Sequence, residues 1–206
     1  DELTRDRSAM LPAAANREVH HLLRDGINVS VRDARGDLQP VTVRVIDWIE
    51  PTSNDFLLAS QVWFAGELYN RRADLVGFVN GIPLLFIECK AVHKNLKDAH
   101  DGNLKDYRQT IPQIFWPNGF AILSNGADSV VGAPYADFDH FTEWKRIDDE
   151  GAEGVVSLET VIRATCTKER LLDLVENFIA FQEERGGLVK KVGMNHQLIG
   201  VNRAIA

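Results

Sequence analysis

Two apolar runs, 73–79 (ADLVGFV) and 82–92 (IPLLFIECKAV), flank the dipeptide Asn80-Gly81. Asn-Gly between such runs is the strongest short-range signal for a tight hairpin. Pro83 and the β-branched and aromatic residues of the second run favour a strand over a helix, and its near-continuous apolarity predicts a buried one. Inside that strand Glu88 and Lys90 stand two residues apart. Side chains alternate along a strand, so both project from one face while Cys89 points to the other. A core strand carrying a carboxylate and an ammonium side by side calls for a reason.

Asp74, at the start of the first run, supplies one. A strict two-residue Asn80-Gly81 turn pairs Val79 with Ile82 and sets Asp74 opposite Ile87, on the wrong face for Glu88. A three-residue connection or a single β-bulge shifts Asp74 opposite Glu88, and bulges are frequent beside active sites. Two carboxylates converging at a strand end form a hard-oxygen site suited to Mg²⁺, and an adjacent lysine can position water or offset charge developing on phosphate. The residues alone leave a second reading open. In it, Glu88 and Lys90 form an ordinary ion pair and Asp74 caps a turn.

The remaining pattern predicts an α/β protein with a mixed central sheet flanked by helices. Residues 8–25 read as a helix closed by Gly26, with Leu11, Ala15, Val19 and Leu22 on its apolar face. Strands are expected at 41–49, 56–64, 120–126 and 129–134, and helices at 95–110, 157–165 and 167–184, with a polar loop over 135–155. Gly186-Gly187 reads as a linker. It divides a domain of residues 1–185 from a segment, 186–206, too short to fold alone.

Composition narrows the functions available. The 206 residues are 45% hydrophobic and 26% charged, enough for a real core. No apolar run reaches membrane-spanning length and the N-terminus has no signal-like core, so a soluble, cytoplasmic protein with no membrane association is expected. Two cysteines, Cys89 and Cys166, give neither a disulfide framework nor zinc spacing. A first residue Asp and a still-helical, apolar end suggest a piece of a longer protein. The net charge of −7 argues against a chain that holds nucleic acid by charge alone. It does not exclude an enzyme that acts on DNA held by partners.

These residues carry a family resemblance. Asp74 followed by "GIPLLFIECK" resembles the metal-binding core of the PD-(D/E)XK nuclease superfamily, with Glu88-Cys89-Lys90 as its ExK. "RRADLVGFVNGIPLLFIECKAV", "IPQIFWPNGFAILSNGADSVVGA" and "RLLDLVENFIAF" are similar, in one consistent order, to the N-terminal part of the restriction (motor) subunit of type I restriction–modification enzymes. The resemblance implies a nuclease-like core and a Mg²⁺-dependent endonuclease cutting double-stranded DNA. Asp74, Glu88 and the Cys89 backbone carbonyl would hold the metal, and Lys90 would position water. Related nucleases carry Q-x-x-x-Y on the next helix; here "NLKDY" keeps Tyr107 and puts Asn103 in place of the glutamine. Glu18, on the first helix, would assist the metal as helix carboxylates do in some relatives, or simply face solvent.

"GMNHQLIGVNRAI" resembles the opening of the family's ATP-driven translocase, which makes Gln197 the adenine contact. No GxxxxGK[ST] loop occurs here, so ATP chemistry is expected only in the full-length subunit. The implied partners are double-stranded DNA and the methyltransferase and specificity subunits. A non-catalytic docking domain joining the motor to that methyltransferase–specificity core is the alternative. A recombination-repair exonuclease of the same superfamily fits the "NGIPL" and "SNG" context less well.

Other residues carry weaker signals. His20-His21 reads as a polar helix edge, and His93, His100, His140 and His196 lack ligand spacing. Arg71-Arg72 suit either phosphate contact or an ordinary surface. Ser124-Asn125-Gly126 is turn chemistry, and Trp48, Trp63, Trp116 and Trp144 read as core or loop anchors.

Overall fold

The apolar hairpin lies within the main sheet. The computed structural model describes residues 2–205. Helix α1 (Pro12–Asp25) leads into a small hairpin of β1 (Ile27–Arg32) and β2 (Leu38–Val43). Strands β3 (Phe56–Ala65), β4 (Asn70–Val79) and β5 (Ile82–Cys89) follow. A helical segment then runs through α2 (Leu96–Asp98), a π-helical turn (Ala99–Leu104) and α3 (Lys105–Thr110). Strands β6 (Phe120–Ser124), β7 (Ser129–Gly132) and β8 (Thr142–Glu143) precede α4 (Leu158–Thr165) and α5 (Lys168–Asn177). Hairpin β9 (Ile179–Glu184) and β10 (Gly187–Val192) and helix α6 (Asn195–Ile205) complete the chain.

The sheet has six strands in the order β3-β4-β5-β6-β7-β8. Only β5 and β6 run parallel. Parallel neighbours need a crossover, and the α2–α3 segment is that crossover. It carries the expected helix motif onto one face of the sheet. There Phe86, Ala121 and Leu123 pack with Leu104, Tyr107 and Ile111. The opposite face buries Ile87 and Ile122 against Val19 and Leu23 of α1 and Leu172 and Val175 of α5. With helices on both faces, β5 and β6 have to be apolar almost throughout.

The β4–β5 hairpin is irregular in the way the acid pair requires. Asn80 and Gly81 have φ of 50° and 79°, the two left-handed residues of a type I′ turn. Val79 pairs with Ile82 and Phe78 with Pro83, but Gly77 pairs with Leu85, so Leu84 is an extra residue on β5. From there Leu75 faces Ile87, and Asp74 comes next, across from Glu88. A Cβ on Gly77 would lie 3.0 Å from Leu85 Cβ, so the absence of a side chain eases this crossing. The Leu84 carbonyl accepts from Gly119 N–H (2.7 Å) and Asn118 Nδ2 (3.2 Å).

Several expectations shift. Of the expected 41–49 strand only 41–43 is extended, as the end of β2, which is exposed and paired with β1; residues 44–49 form no strand, and Ile46 is buried in the core. Helix α1 buries Ala15, Val19 and Leu23 together with Asn16 and His20, while Leu11 sits at the N-cap, 72% exposed. The 167–184 helix stops at Asn177, and "IAFQEE" becomes β9. In that stretch Ile179 and Phe181 alternate toward the core, and a period of two wins over the helical one. Gly187, at φ 115°, closes the β9–β10 hairpin, so the expected linker is a turn. Beyond it, Lys190 and Leu198 are buried with the rest.

His20 is not a polar edge. It is buried 5.5 Å from the Phe181 ring, and its Nε2 has no hydrogen-bond partner. Burial, reinforced by the Lys190 charge, pushes its pKa down to about 3. Burial also lowers Lys190 to about 7, while its Nζ donates to the Asn118 carbonyl at 2.5 Å.

Two stability measurements check this. Asn80 Oδ1 accepts from Asp55 N–H (2.7 Å) and Nδ2 donates to Val45 O and Asn54 Oδ1, both at 2.8 Å. Asn80→Ala should lower unfolding free energy by about 2–3 kcal/mol through lost bonds and left-handed strain. Asn80→Gly, which keeps the backbone angle, should lose roughly 1 kcal/mol less in the same urea titration. The second concerns pH. A histidine depressed from 6.5 to about 3 leaves the unfolded chain binding the extra proton between those values. Stability should therefore fall as pH drops from 6.5 toward 3, with His20 contributing up to about 5 kcal/mol. His20→Leu should show a visibly shallower acid loss.

Candidate active site

The β4–β5 register puts Asp74 and Glu88 on one face of the sheet, at the carboxyl end of β5. Asp74 is half-buried, and its Oδ2 accepts the Cys89 N–H at 3.0 Å. Its Oδ1 accepts from Gln61 Nε2 at 3.2 Å. Gln61 lies on β3 between the pairs Ser60–Leu75 and Val62–Ala73, which sets it directly across from Asp74. Its φ of 53° is a left-handed conformation that a non-glycine residue holds at a cost. Gln61 was not anticipated; only the strand register exposes it.

Glu88 is almost fully buried, at 1% exposure. Its Oε1 accepts from Lys90 Nζ at 3.1 Å and from Asn103 Nδ2. Its Oε2 is buried with no hydrogen-bond partner. Native proteins rarely leave such an atom unpaired, so its lone pairs are available to a group from outside. Burial raises the Glu88 pKa, and the neighbouring Asp74 charge raises it further against the pull of Lys90 and Asn103. The structure thus brings Asp74, Glu88, Lys90 and Asn103 together around a hard-oxygen pair. Among the described residues no three His, Cys, Asp or Glu side chains cluster as a metal site. Two carboxylates with further oxygens from backbone or water are what Mg²⁺ requires.

Secondary interactions fix the frame. Lys90 N–H donates to the Ser124 carbonyl at 2.8 Å. Asn125 Oδ1 accepts from Ala127 and Asp128 N–H, while its Nδ2 reaches the Lys94 carbonyl at 2.9 Å. The "SNG" turn therefore secures both sides of the segment that carries Lys90. Asn103, one methylene shorter than a glutamine, still reaches Glu88, delivered from the π-helical turn. Tyr107 packs against Phe86 with ring centroids 5.6 Å apart and donates to the Arg72 carbonyl at 3.0 Å. Burial, with Glu88 and Asp74 beside it, pushes its pKa up to about 12.

Other expected residues stand apart. Glu18 is engaged by Arg5 and Arg7 rather than by the acid pair. Gln197 Oε1 accepts the Met194 N–H at 2.8 Å, a capping interaction at the start of α6. Trp144 is fully buried and Trp48 Nε1 donates to the Leu23 carbonyl, as anchors should. Trp63 differs, being 67% exposed beside the site. Among the described residues no helix is long and apolar enough to cross a membrane.

Comparison with known proteins identifies the family. Residues 1–140 match the family described as the type I restriction enzyme R protein N terminus. Over 198 residues the chain is 29% identical to the "Type I restriction enzyme HindI endonuclease subunit" of Haemophilus influenzae, covering 92% of this chain and 19% of that protein. It is 27% identical over 214 residues to the "Putative type I restriction enzyme MjaIXP endonuclease subunit" of Methanocaldococcus jannaschii, covering 90% and 19%. The chain thus spans about a fifth of the length of the curated relatives it matches. With the family model covering more than half of its residues, this chain belongs to the type I restriction enzyme R protein N-terminal family.

Proposed function

We propose that the chain is the Mg²⁺-dependent nuclease domain of a type I restriction enzyme R subunit, hydrolysing phosphodiester bonds of double-stranded DNA on a PD-(D/E)XK-type core. In the full-length subunit it acts with an ATP-driven motor, where Gln197 would contact adenine, and with methyltransferase and specificity subunits. The observation that carries the reading is the buried, unbonded Oε2 of Glu88 on the same sheet face as Asp74. A pure docking surface has no need to bury a carboxylate there, at the desolvation cost that raises its pKa.

Asp74 and Glu88, with the Cys89 carbonyl, would hold the cation. Its charge would offset the negative charge that builds on phosphate and lower the pKa of water. The chain's own residues do the rest. Cys89 N–H and Gln61 keep Asp74 oriented, so little reorganisation is needed at the moment of reaction. Lys90 and Asn103 hold Glu88 Oε1 and leave Oε2 free. Lys90, 20% exposed at its side chain, is the group able to position the attacking water and meet the developing phosphate charge. Tyr107 braces the β4 backbone just before Asp74.

Two experiments test this. Lys90→Ala in the full-length subunit should lower DNA cleavage about 10²–10³-fold while leaving ATP hydrolysis nearly unchanged. Joint loss of both activities would indicate a docking role, and intact cutting would remove Lys90 from the mechanism. Glu88→Gln removes the buried charge without changing shape. With chelator present at pH 7 it should melt at a higher temperature than the parent, because burial disfavours the ionised form. Adding Mg²⁺ should then raise the parent's melting temperature and leave the variant's unmoved. A variant that responds to Mg²⁺ as the parent does would refute the metal assignment.

A further inference from the structure

A groove of about 620 Å³ opens beside the acid pair, lined in part by Trp63, Arg71, Arg72, Asn103, Asp106 and Tyr107. Asn103 belongs to both places, since it lines the groove and donates to Glu88. Whatever occupies the groove therefore abuts the candidate site. The two arginines, equivalent in sequence, are not equivalent in space. Arg71 is neutralised by Asp106, to which its Nε and Nη2 both donate. Arg72 has no carboxylate partner among the described residues, and it is exposed. Its guanidinium lies over the Trp63 ring, 5.8 Å from the centroid, and the two residues are directly paired across β3 and β4.

Other arginines, Arg32 and Arg146 among them, also lack a carboxylate partner among the described residues, but of these only Arg72 lines this groove. Thirty acidic residues are available and none pairs with it among the described residues. Trp63 supplies an apolar face that restricts the guanidinium without neutralising it. Arg72 also stands two residues before Asp74 on β4, a separation of roughly 7 Å along the strand. That step is comparable to the spacing of successive phosphates in one nucleic-acid strand. The Arg72 backbone is fixed by the Tyr107 hydroxyl on its carbonyl, which ties the groove wall to the crossover helix.

We propose that this groove seats the DNA strand flanking the scissile bond, with Arg72 binding the phosphate next to the one cut and Trp63 holding the guanidinium in place. The proposal rests on the nuclease reading and names how that site takes its substrate. The contact is to backbone, so it carries no sequence information, in keeping with recognition located elsewhere.

The test uses the full-length subunit in its assembled enzyme, measuring plasmid cleavage and ATP hydrolysis on the same preparations across a salt series. Arg72→Ala should slow cleavage about tenfold, with ATP hydrolysis unchanged. The slope of log cleavage rate against log salt should become shallower by about one, as expected for one lost phosphate contact. Arg72→Lys, which keeps the charge, should recover most of the rate, and Trp63→Ala should fall between. Glu88→Gln serves as the reference for the nuclease reading. If Glu88→Gln is inactive while Arg72→Ala cuts with the parental rate and salt slope, the groove assignment fails alone. If Glu88→Gln still cuts, the nuclease reading fails and this proposal with it. Loss of ATP hydrolysis in Arg72→Ala, or no rescue by lysine, would make Arg72 a structural or docking residue and overturn the assignment.

Discussion

A single extra residue in β5 sets the register on which the candidate site depends. Leu84 has no partner on β4, so the pairing moves by one and Asp74 lands across from Glu88 instead of Ile87. Side chains alternate with a period of two, so without that shift the two acids would occupy opposite faces. The bulge is held from the other side of the strand. The Leu84 carbonyl is bonded by Gly119 and Asn118, and the Asn118 carbonyl in turn accepts from Asn16 of α1 and Lys190 of β10. Helix, hairpin and central strand meet at this point, and the polar groups buried there are linked to the geometry of the acids.

The candidate site departs from local structural preference in several ways. Glu88 is a carboxylate in a strand whose other interior residues are apolar, and its raised pKa reflects that burial. Gln61 holds a left-handed conformation directly across from Asp74. The crossover helix widens into a π-helical turn at the level of Asn103. Such turns often mark functional sites. Elsewhere α4 and α5 are capped by Ser157 and Thr167, and Ile87, Ile122 and Val175 pack in one core cluster. A left-handed residue, a π-helical turn and a buried unpaired carboxylate oxygen thus meet around Asp74 and Glu88, while other buried unpaired atoms, at His20 and Asn118 among them, lie elsewhere in the fold.

The overall charge of −7 and a DNA substrate are compatible once local charge is considered. Arg5, Arg7, Arg17, Arg24, Arg71 and Arg163 are each paired with a carboxylate. Arg72, like Arg32, Arg146 and Arg170, has no such partner among the described residues, and of these it is the one that borders the groove at the acid pair. A global balance says how strongly a chain clings to any polyanion; a single uncompensated cation in a groove says where one phosphate can sit.

The sequence by itself determined the hairpin, the Asn80-Gly81 turn and the buried strand ending in Glu88 and Lys90, because type I′ turns and apolar β-branched runs are governed by short-range sterics and hydrophobicity. It also located Asp74, Asn103 and Tyr107 and carried the family resemblance, since those residues lie close together along the chain. It left open whether Asp74 faces Glu88, because a bulge is decided by pairing with β6 and by Asn118, far along the chain. It misread "IAFQEE" as helix, because a short segment's period becomes unambiguous only when β10 is there to pair with it. It could not separate Arg71 from Arg72 or find Gln61. Those distinctions come from Asp106 on the crossover helix and from the register of β3. Local propensity fixed the elements that carry the acids; long-range pairing and burial decided which side chains meet, which stay charged and which are left with an open lone pair.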